Sequence, residues 1–317
     1  MSESLSDAAV ARLQRAAELP RFPGERYEAL DVLGQGGMGT VWLARDTALD
    51  REVAIKVLRA VAAADLSARL AQEARILARL EHPGIVPVHD GGTLADGRAY
   101  YVMKRVRGRR LDEWRANGPS LRRQLELLQR VAEAVAFAHA NGVIHRDLKP
   151  GNVMVGEFGE VLVLDWGVAK LLRQPTGRPP AVAGTDGTLE VDTGHGAVVG
   201  TRGFMAPEQE RGATDVDGRA DVFALGALLT WLAGEQAPKR LRAIAARASA
   251  AERKDRYPDV PALVGDLTRF LEGEPVSAYR ENVLERVARL ADKYRTPLLL
   301  VLAYLLMRAG LILFGGP

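Results

Sequence analysis

Eight consecutive residues near the middle of the chain, His145-Arg146-Asp147-Leu148-Lys149-Pro150-Gly151-Asn152, set a carboxylate, an ammonium and an amide within six positions. Moving a phosphoryl group onto a hydroxyl requires those three groups together. Asp147 can take the hydroxyl proton, Lys149 can neutralise charge on the phosphate, and Asn152 can ligate a magnesium ion. A solvated surface loop would use the same residue types, so the rest of the chain decides between the two readings. With 317 residues and 47% hydrophobic content, it can bury a large core as one big or two coupled domains.

Charge narrows the function classes. The formal net charge of +3 is spread among mixed signs, and the basic cluster Lys104 to Arg110 is short, so no nucleic-acid footprint is present. The chain has no cysteine, which excludes disulfides, thiol catalysis and thiolate metal sites. Met1 to Leu19 is polar and Ala-rich without an apolar core, so it is no secretory signal. Pro20 and Pro23 interrupt it, and residues 1–26 read as a flexible leader.

From Tyr27 the pattern changes to strands and turns. Gly34-Gln35-Gly36-Gly37-Met38-Gly39-Thr40-Val41 has the form G-x-G-x-x-G-x-V between two strands, where missing side chains let backbone amides approach phosphate oxygens. A hairpin turn needing positive φ would use the same glycines. No helix follows directly, which disfavours a dinucleotide fingerprint. The apolar strand Val53-Ala54-Ile55-Lys56 then ends in an ammonium well placed for α and β phosphates. Leu66, Leu70, Leu77 and Leu80 have helical spacing, and Glu73 on that helix is the candidate partner of Lys56.

In this order the motifs resemble a protein kinase, specifically the bacterial eukaryotic-like (Hanks-type) Ser/Thr kinases. The resemblance covers Tyr27 to Gly273 and implies an α+β, bilobal protein kinase fold. A small antiparallel β-sheet lobe with one helix would span 27–103, and a larger mainly α-helical lobe 104–273, with an activation loop at 165–208. It implies ATP with magnesium, for which manganese could substitute. Gly34, Gly36, Gly39 and Lys56 would surround the triphosphate, with Val41, Ala54 and Met154 around the base. Met103 would be the gatekeeper, and the backbone of Lys104, Arg105 and Val106 would bond the purine. Asn152 and Asp165 would hold the metal, and Asp147, Lys149, Lys56 and Glu73 would form the catalytic set. Lys149 two residues after Asp147 resembles the Ser/Thr rather than the tyrosine subfamily.

The larger lobe should begin with a helix over Leu121 to Ala140, stopped by Asn141-Gly142. Val161 to Leu164 reads as a strand delivering Asp165-Trp166-Gly167, where the family motif has Phe. The Trp should stack between His145 and Leu77. Thr185, Thr188 and Thr193 are candidate autophosphorylation sites, Thr193 foremost, and a phosphate there could pair with Arg146. Thr201 would contact Asp147 and Lys149, Glu208 should pair with Arg256, and Asp221 opens a buried apolar helix. The stretch from Asp221 to Arg256 is shorter than in the family, as though a helix of the substrate-docking surface were missing.

Residues 274–295 form a basic juxtamembrane segment with Leu284, Val287 and Leu290 at helical spacing. Residues 296–314 form an apolar run about long enough to cross a bilayer. Arg308 opposes insertion by about 2.5 to 3.5 kcal/mol, which the leucines offset at about 0.3 to 0.6 kcal/mol each. The favoured reading is a cytoplasmic kinase domain anchored in the cell (inner) membrane; a soluble helix packed on the kinase or used for dimerisation is the alternative. The expected partners are ATP, protein substrates bearing Ser or Thr and the membrane, with a homodimer open and no nucleic acid. Two other functions compete with a signalling Ser/Thr kinase: an ATP-binding pseudokinase scaffold and a small-molecule phosphotransferase. The long activation loop and Ala206-Pro207-Glu208 disfavour the second.

Overall fold

The structure is a computed structural model that describes residues 19–36, 39–61, 80–166, 202–213, 215–294, 299–301 and 303–308. The helix expected to carry Glu73 and Leu77, the residues Gly167, Thr185, Thr188, Thr193 and Thr201, and the chain up to residue 18 lie outside the described residues.

Strands β1 (Tyr27–Gly36), β2 (Gly39–Asp46), β3 (Arg51–Val61), β4 (Val88–Thr93) and β5 (Arg98–Lys104) pair antiparallel in the order β1-β2-β3-β5-β4. β3 is central, and Val53 to Leu58 are all buried because this strand is covered on both of its faces. Its two-residue period sends Val53, Ile55 and Val57 into a core with Tyr27, Ala44, Tyr100 and Val102. Ala54 joins Tyr101 and Met103 on the opposite face, and by the same alternation Lys56 shares that face. The small lobe starts before Tyr27: Phe22 belongs to its core, and Arg26 pairs with buried Asp46 at 3.1 Å. At Gly39 an added Cβ would lie 2.2 Å from the Val57 carbonyl oxygen, so only glycine lets β2 start this close to β3.

The larger lobe contains a three-stranded sheet of β6 (Gly108–Arg110), β7 (Val153–Gly156) and β8 (Val161–Val163). Its helices are α1 (Leu111–Ala116), α2 (Leu121–Ala140), α3 (Pro207–Glu210), α4 (Arg219–Ala233), α5 (Lys239–Ala248) and α6 (Val260–Leu271). The small antiparallel sheet and the larger, mainly helical lobe give the bilobal α+β architecture that the resemblance implies. α2 occupies the span its pattern predicts, capped by the Ser120 side chain and ended at Asn141-Gly142, where Gly142 has φ 76°. Leu125, Leu128, Val131, Ala132 and Val135 are buried along it; each Leu or Val there contributes roughly 1.5–3 kcal/mol by leaving water.

The shortening between Asp221 and Arg256 is visible as a direct link. Gly234 to Pro238 joins α4 to α5 with no helix between them, and the two helices pack on each other through Gly226. A Cβ at Gly226 would meet Ala248 Cβ and Ser249 N at 2.7 Å each. Gly226→Ala is therefore expected to force the helices apart and cost about 1–3 kcal/mol. A fall in urea midpoint at unchanged slope would show it.

Beyond α6, the chain returns along the lobe and forms α7 (Val283–Lys293). Residues 299–301 and 303–308 are helical and exposed. Among the described residues no helix is long and apolar enough to cross a membrane.

Candidate active site

Asp221, at the start of α4, holds the central loop. Its carboxylate accepts the His145 amide and the Arg146 amide, each at 2.8 Å, and lies 2.7 Å from His139 Nε2. Arg146 sits at φ +65°, a region costly for a side chain that is not glycine, and the Asp221 bonds keep it there. The Asp147 amide donates to His145 Nδ1 at 3.2 Å, so Nε2 carries the ring proton and donates to the Leu164 carbonyl at 2.8 Å. The His145 and Trp166 rings are in contact with centroids 4.9 Å apart, but tilted by 57° instead of stacked as expected, because Trp166 Nε1 is held by the Val163 carbonyl, to which it donates. The Leu77 half of that column is outside the described residues.

Two of the predicted polar groups, Asn152 and Lys149, converge on Asp147. Asn152 Nδ2 donates to the Asp147 carbonyl at 2.7 Å and to its Oδ2 at 3.2 Å, while Lys149 Nζ lies 3.1 Å from the same Oδ2. The Leu164 amide donates to the Asn152 carbonyl at 2.8 Å, so the backbone leading to Asp165 is tied to Asn152. Asp165 itself has φ +54°. Lys56 reaches it from the opposite lobe: Nζ lies 2.6 Å from Asp165 Oδ1, with the lysine side chain 7% exposed.

Tyr101 completes that bridge. It faces Lys56 across the β3–β5 pair and donates its hydroxyl to Asp165 Oδ1 at 3.3 Å. Burial, then the Asp165 charge beside it, pushes the phenol well above its usual value, so it stays a donor at neutral pH.

Above the loop lies an apolar cluster of Ala54, Val86, Tyr101, Met103 and Leu162, bordered by Val41, Val88, Val106 and Leu164. Val41 and Ala54 are thus together with Met103 as expected. Met154 stands beside Leu162 in the β7–β8 register and is half-buried. The Lys104 amide already donates to the Pro87 carbonyl at 3.1 Å, so of its two backbone groups only the carbonyl can serve the expected purine contact. Arg105 pairs with Glu52, joined by Arg107 at 3.0 Å. Gly34, Gly36 and Gly39 lie at the facing ends of β1 and β2.

The whole arrangement matches a known family. The family model described as "Protein kinase domain" matches residues 27–262. The chain belongs to the protein kinase family. The serine/threonine-protein kinase PknB of Mycobacterium leprae is 42% identical over 217 residues, covering 66% of this chain and 32% of that protein. The PknB of Mycobacterium tuberculosis strain H37Rv is 35% identical over 295 residues, 82% of this chain and 45% of that protein. The crystal structure of the Mycobacterium tuberculosis PknI kinase domain is 28% identical with a TM-score of 0.58, covering 77% of this chain and 96% of that one. The chain thus spans 32% to 45% of the length of these curated relatives.

The lower half of the kinase site hangs on a second buried carboxylate. Glu208 makes a two-pronged pair with Arg256 at 2.7 and 2.8 Å, as expected from the resemblance. Next to it, Gln209 Nε2 donates to the Arg146 carbonyl at 2.9 Å, so α3 and α4 grip the same residue of the loop. Asp221 as loop anchor, His139 behind it, Tyr101 and Leu162 escaped the sequence reading. Asp221 was visible only as a polar residue opening an apolar helix, a position that a buried carboxylate occupies only when it has partners.

Burial pushes the Asp221 carboxyl up, but the His139 and backbone hydrogen bonds outweigh it and hold it below the usual range. Glu208 behaves alike, burial being overcome by Arg256. Both folded-state values lie below the unfolded ones. Their contribution to stability is complete above the ordinary carboxylate value of about 4 and is lost as pH falls through the folded values. The thermal midpoint is expected to fall steeply below about pH 4, and Asp221→Asn to flatten that acid limb. An unchanged limb in the variant would reject the assignment.

Proposed function

We propose that this kinase domain transfers the γ-phosphate of ATP to Ser or Thr hydroxyls of proteins, including its own activation loop, in bacterial signal transduction. The observation that carries the reading is the part-buried Lys56–Asp165 bridge between the lobes, tied through Leu164 and Asn152 to the Asp147–Lys149 pair. Asp147, oriented by Asn152 and Lys149, accepts the hydroxyl proton and aligns the nucleophile. Lys149 offsets negative charge in the transition state, and Lys56 with the glycine loop positions the triphosphate, Glu73 being its proposed partner. The apolar cluster around Ala54 and Met103 encloses the base, and the Lys104 carbonyl with the backbone of Arg105 and Val106 would bond it. Magnesium, when bound, neutralises charge on the β and γ oxygens. Asn152 and Asp165 offer one amide and one carboxylate oxygen, a hard donor set that this ion takes alongside waters and phosphates; manganese takes the same set.

Asp165→Asn is expected to lower transfer by about 10²-fold and to move its magnesium dependence to higher concentration. Initial rates across a magnesium series check this; an unshifted dependence would remove Asp165 from the metal site.

The kinase domain is placed on the cytoplasmic face and held to the inner membrane by residues 296–314, with Lys293 and Arg295 on the cytoplasmic side. The support is the apolar run itself, interrupted by Arg308 alone among charged residues. Homodimerisation through this segment or the small lobe stays open, and light scattering in detergent showing monomers only would reject it.

A further inference from the structure

Helix α7 is docked inside out. Asn282 and Glu285 cap it reciprocally: the Glu285 amide donates to Asn282 Oδ1 at 2.8 Å and the Asn282 amide donates to Glu285 Oε2 at 3.2 Å. Two of its polar residues, Glu285 and Arg289, then turn toward the protein. Glu285 accepts from Lys239 at 3.2 Å and from the Tyr279 hydroxyl at 3.0 Å. Arg289, its side chain 9% exposed, donates to Glu281 at 3.0 Å and to the Gly273 carbonyl at 2.9 Å. Glu281 is also faced by Arg240 of α5 at 3.6 Å.

The apolar residues point the other way. Val283 is 76% exposed, Leu284 80% and Val287 59%, and the stripe continues through Leu290 and Tyr294. A helix on a water-facing surface arranges itself in the opposite sense. Arg286 borders the stripe and Arg280 precedes the helix; both are exposed, and neither side chain meets a carboxylate among the described residues. The exposed apolar residues Leu299, Leu300, Val301, Tyr304 and Leu305 follow a few positions on, and no acidic residue occurs after Asp292.

We infer that α7 lies flat in the interface of an anionic bilayer. Its apolar stripe sits at the acyl boundary, with Arg280 and Arg286 at the headgroup phosphates. The lobe is thereby held against the membrane through α5 and the end of α6, instead of swinging from its anchor. This rests on the reading of 296–314 as that anchor. A second copy is the poorer occupant: a two-fold pairing of stripes would bring Arg286 toward its own mate, and the one carboxylate among the described α7 side chains, Glu285, faces the protein.

The absence of cysteine makes the test direct. The full chain is reconstituted into phosphatidylcholine–phosphatidylglycerol vesicles with brominated acyl chains, carrying a fluorophore at Val287→Cys, Leu305→Cys or, as an aqueous reference, Ala95→Cys. Positions 287 and 305 should both be quenched several-fold more than 95, and adding Arg286→Glu should weaken the quenching at 287 alone. Quenching at 305 with 287 as unquenched as 95 overturns the flat helix and leaves the anchor standing. No quenching at either overturns both. A probe at 287 that is shielded yet unquenched, with disulfide cross-linking of unlabelled Val287→Cys between chains, overturns the membrane occupant in favour of a second copy.

Discussion

Replacing Asp147 with Asn is expected to slow phosphate transfer by about 10²–10⁴-fold while leaving the KM for ATP within about twofold. Asn152 Nδ2 at 3.2 Å and Lys149 Nζ at 3.1 Å, which approach the Asp147 carboxylate, are both donors. An asparagine has the right shape but offers no base. In one orientation, its amide nitrogen would also confront those donors. The groups proposed to hold nucleotide sit elsewhere, in the cluster around Ala54 and Met103 and at Lys56. The loss should therefore fall on kcat. A comparable rise in KM for ATP would mean that Asp147 acts through the nucleotide instead.

The largest loss of stability is expected at Arg256. Its side chain is fully buried, and all five N–H groups are used: Nε on the Ala250 carbonyl, Nη1 on Glu208 and the Arg219 carbonyl, Nη2 on Glu208 and the Ala251 carbonyl. Arg256→Ala strands a buried carboxylate and three carbonyls, at a cost of about 3–5 kcal/mol. Arg253, 3.5 Å from Glu208, partly compensates and sets the result toward the lower end. That is a large share of the 5–15 kcal/mol typical of a folded domain. Adding Glu208→Leu should recover part of the loss, since no buried charge is then left unpaired. Urea unfolding of the single and double variants decides the point. Equal stability of the two would mean that the stranded charge is not the source of the loss.

How far such features can be read before folding depends on whether their chemistry is contiguous. Asp147, Lys149 and Asn152 lie in one short loop, and Lys56 ends an apolar strand, so local pattern was enough to single them out. The Glu208–Arg256 pair joins residues far apart in sequence, and only the family resemblance suggested it. Asp221 and Tyr101 look like ordinary helix-start and strand residues. Their roles come from what the tertiary fold sets opposite them, the amides of His145 and Arg146 in one case and Asp165 in the other. The orientation of α7 was illegible for a different reason. Period and moment reveal that a helix has an apolar face, not which way it points, and here ion pairs from Lys239 and Glu281 reverse the usual choice.

The central claim is phosphate transfer to protein hydroxyls, and the most direct measurement is transfer of labelled γ-phosphate from ATP with magnesium to the chain itself and to a generic basic acceptor. The expected result is label on phosphothreonine or phosphoserine in wild type, lost in Asp147→Asn, with Thr193 the first residue to map. Nucleotide bound but no label in either protein would contradict it, leaving an ATP-binding scaffold whose shortened α4–α5 connection is the first place to look.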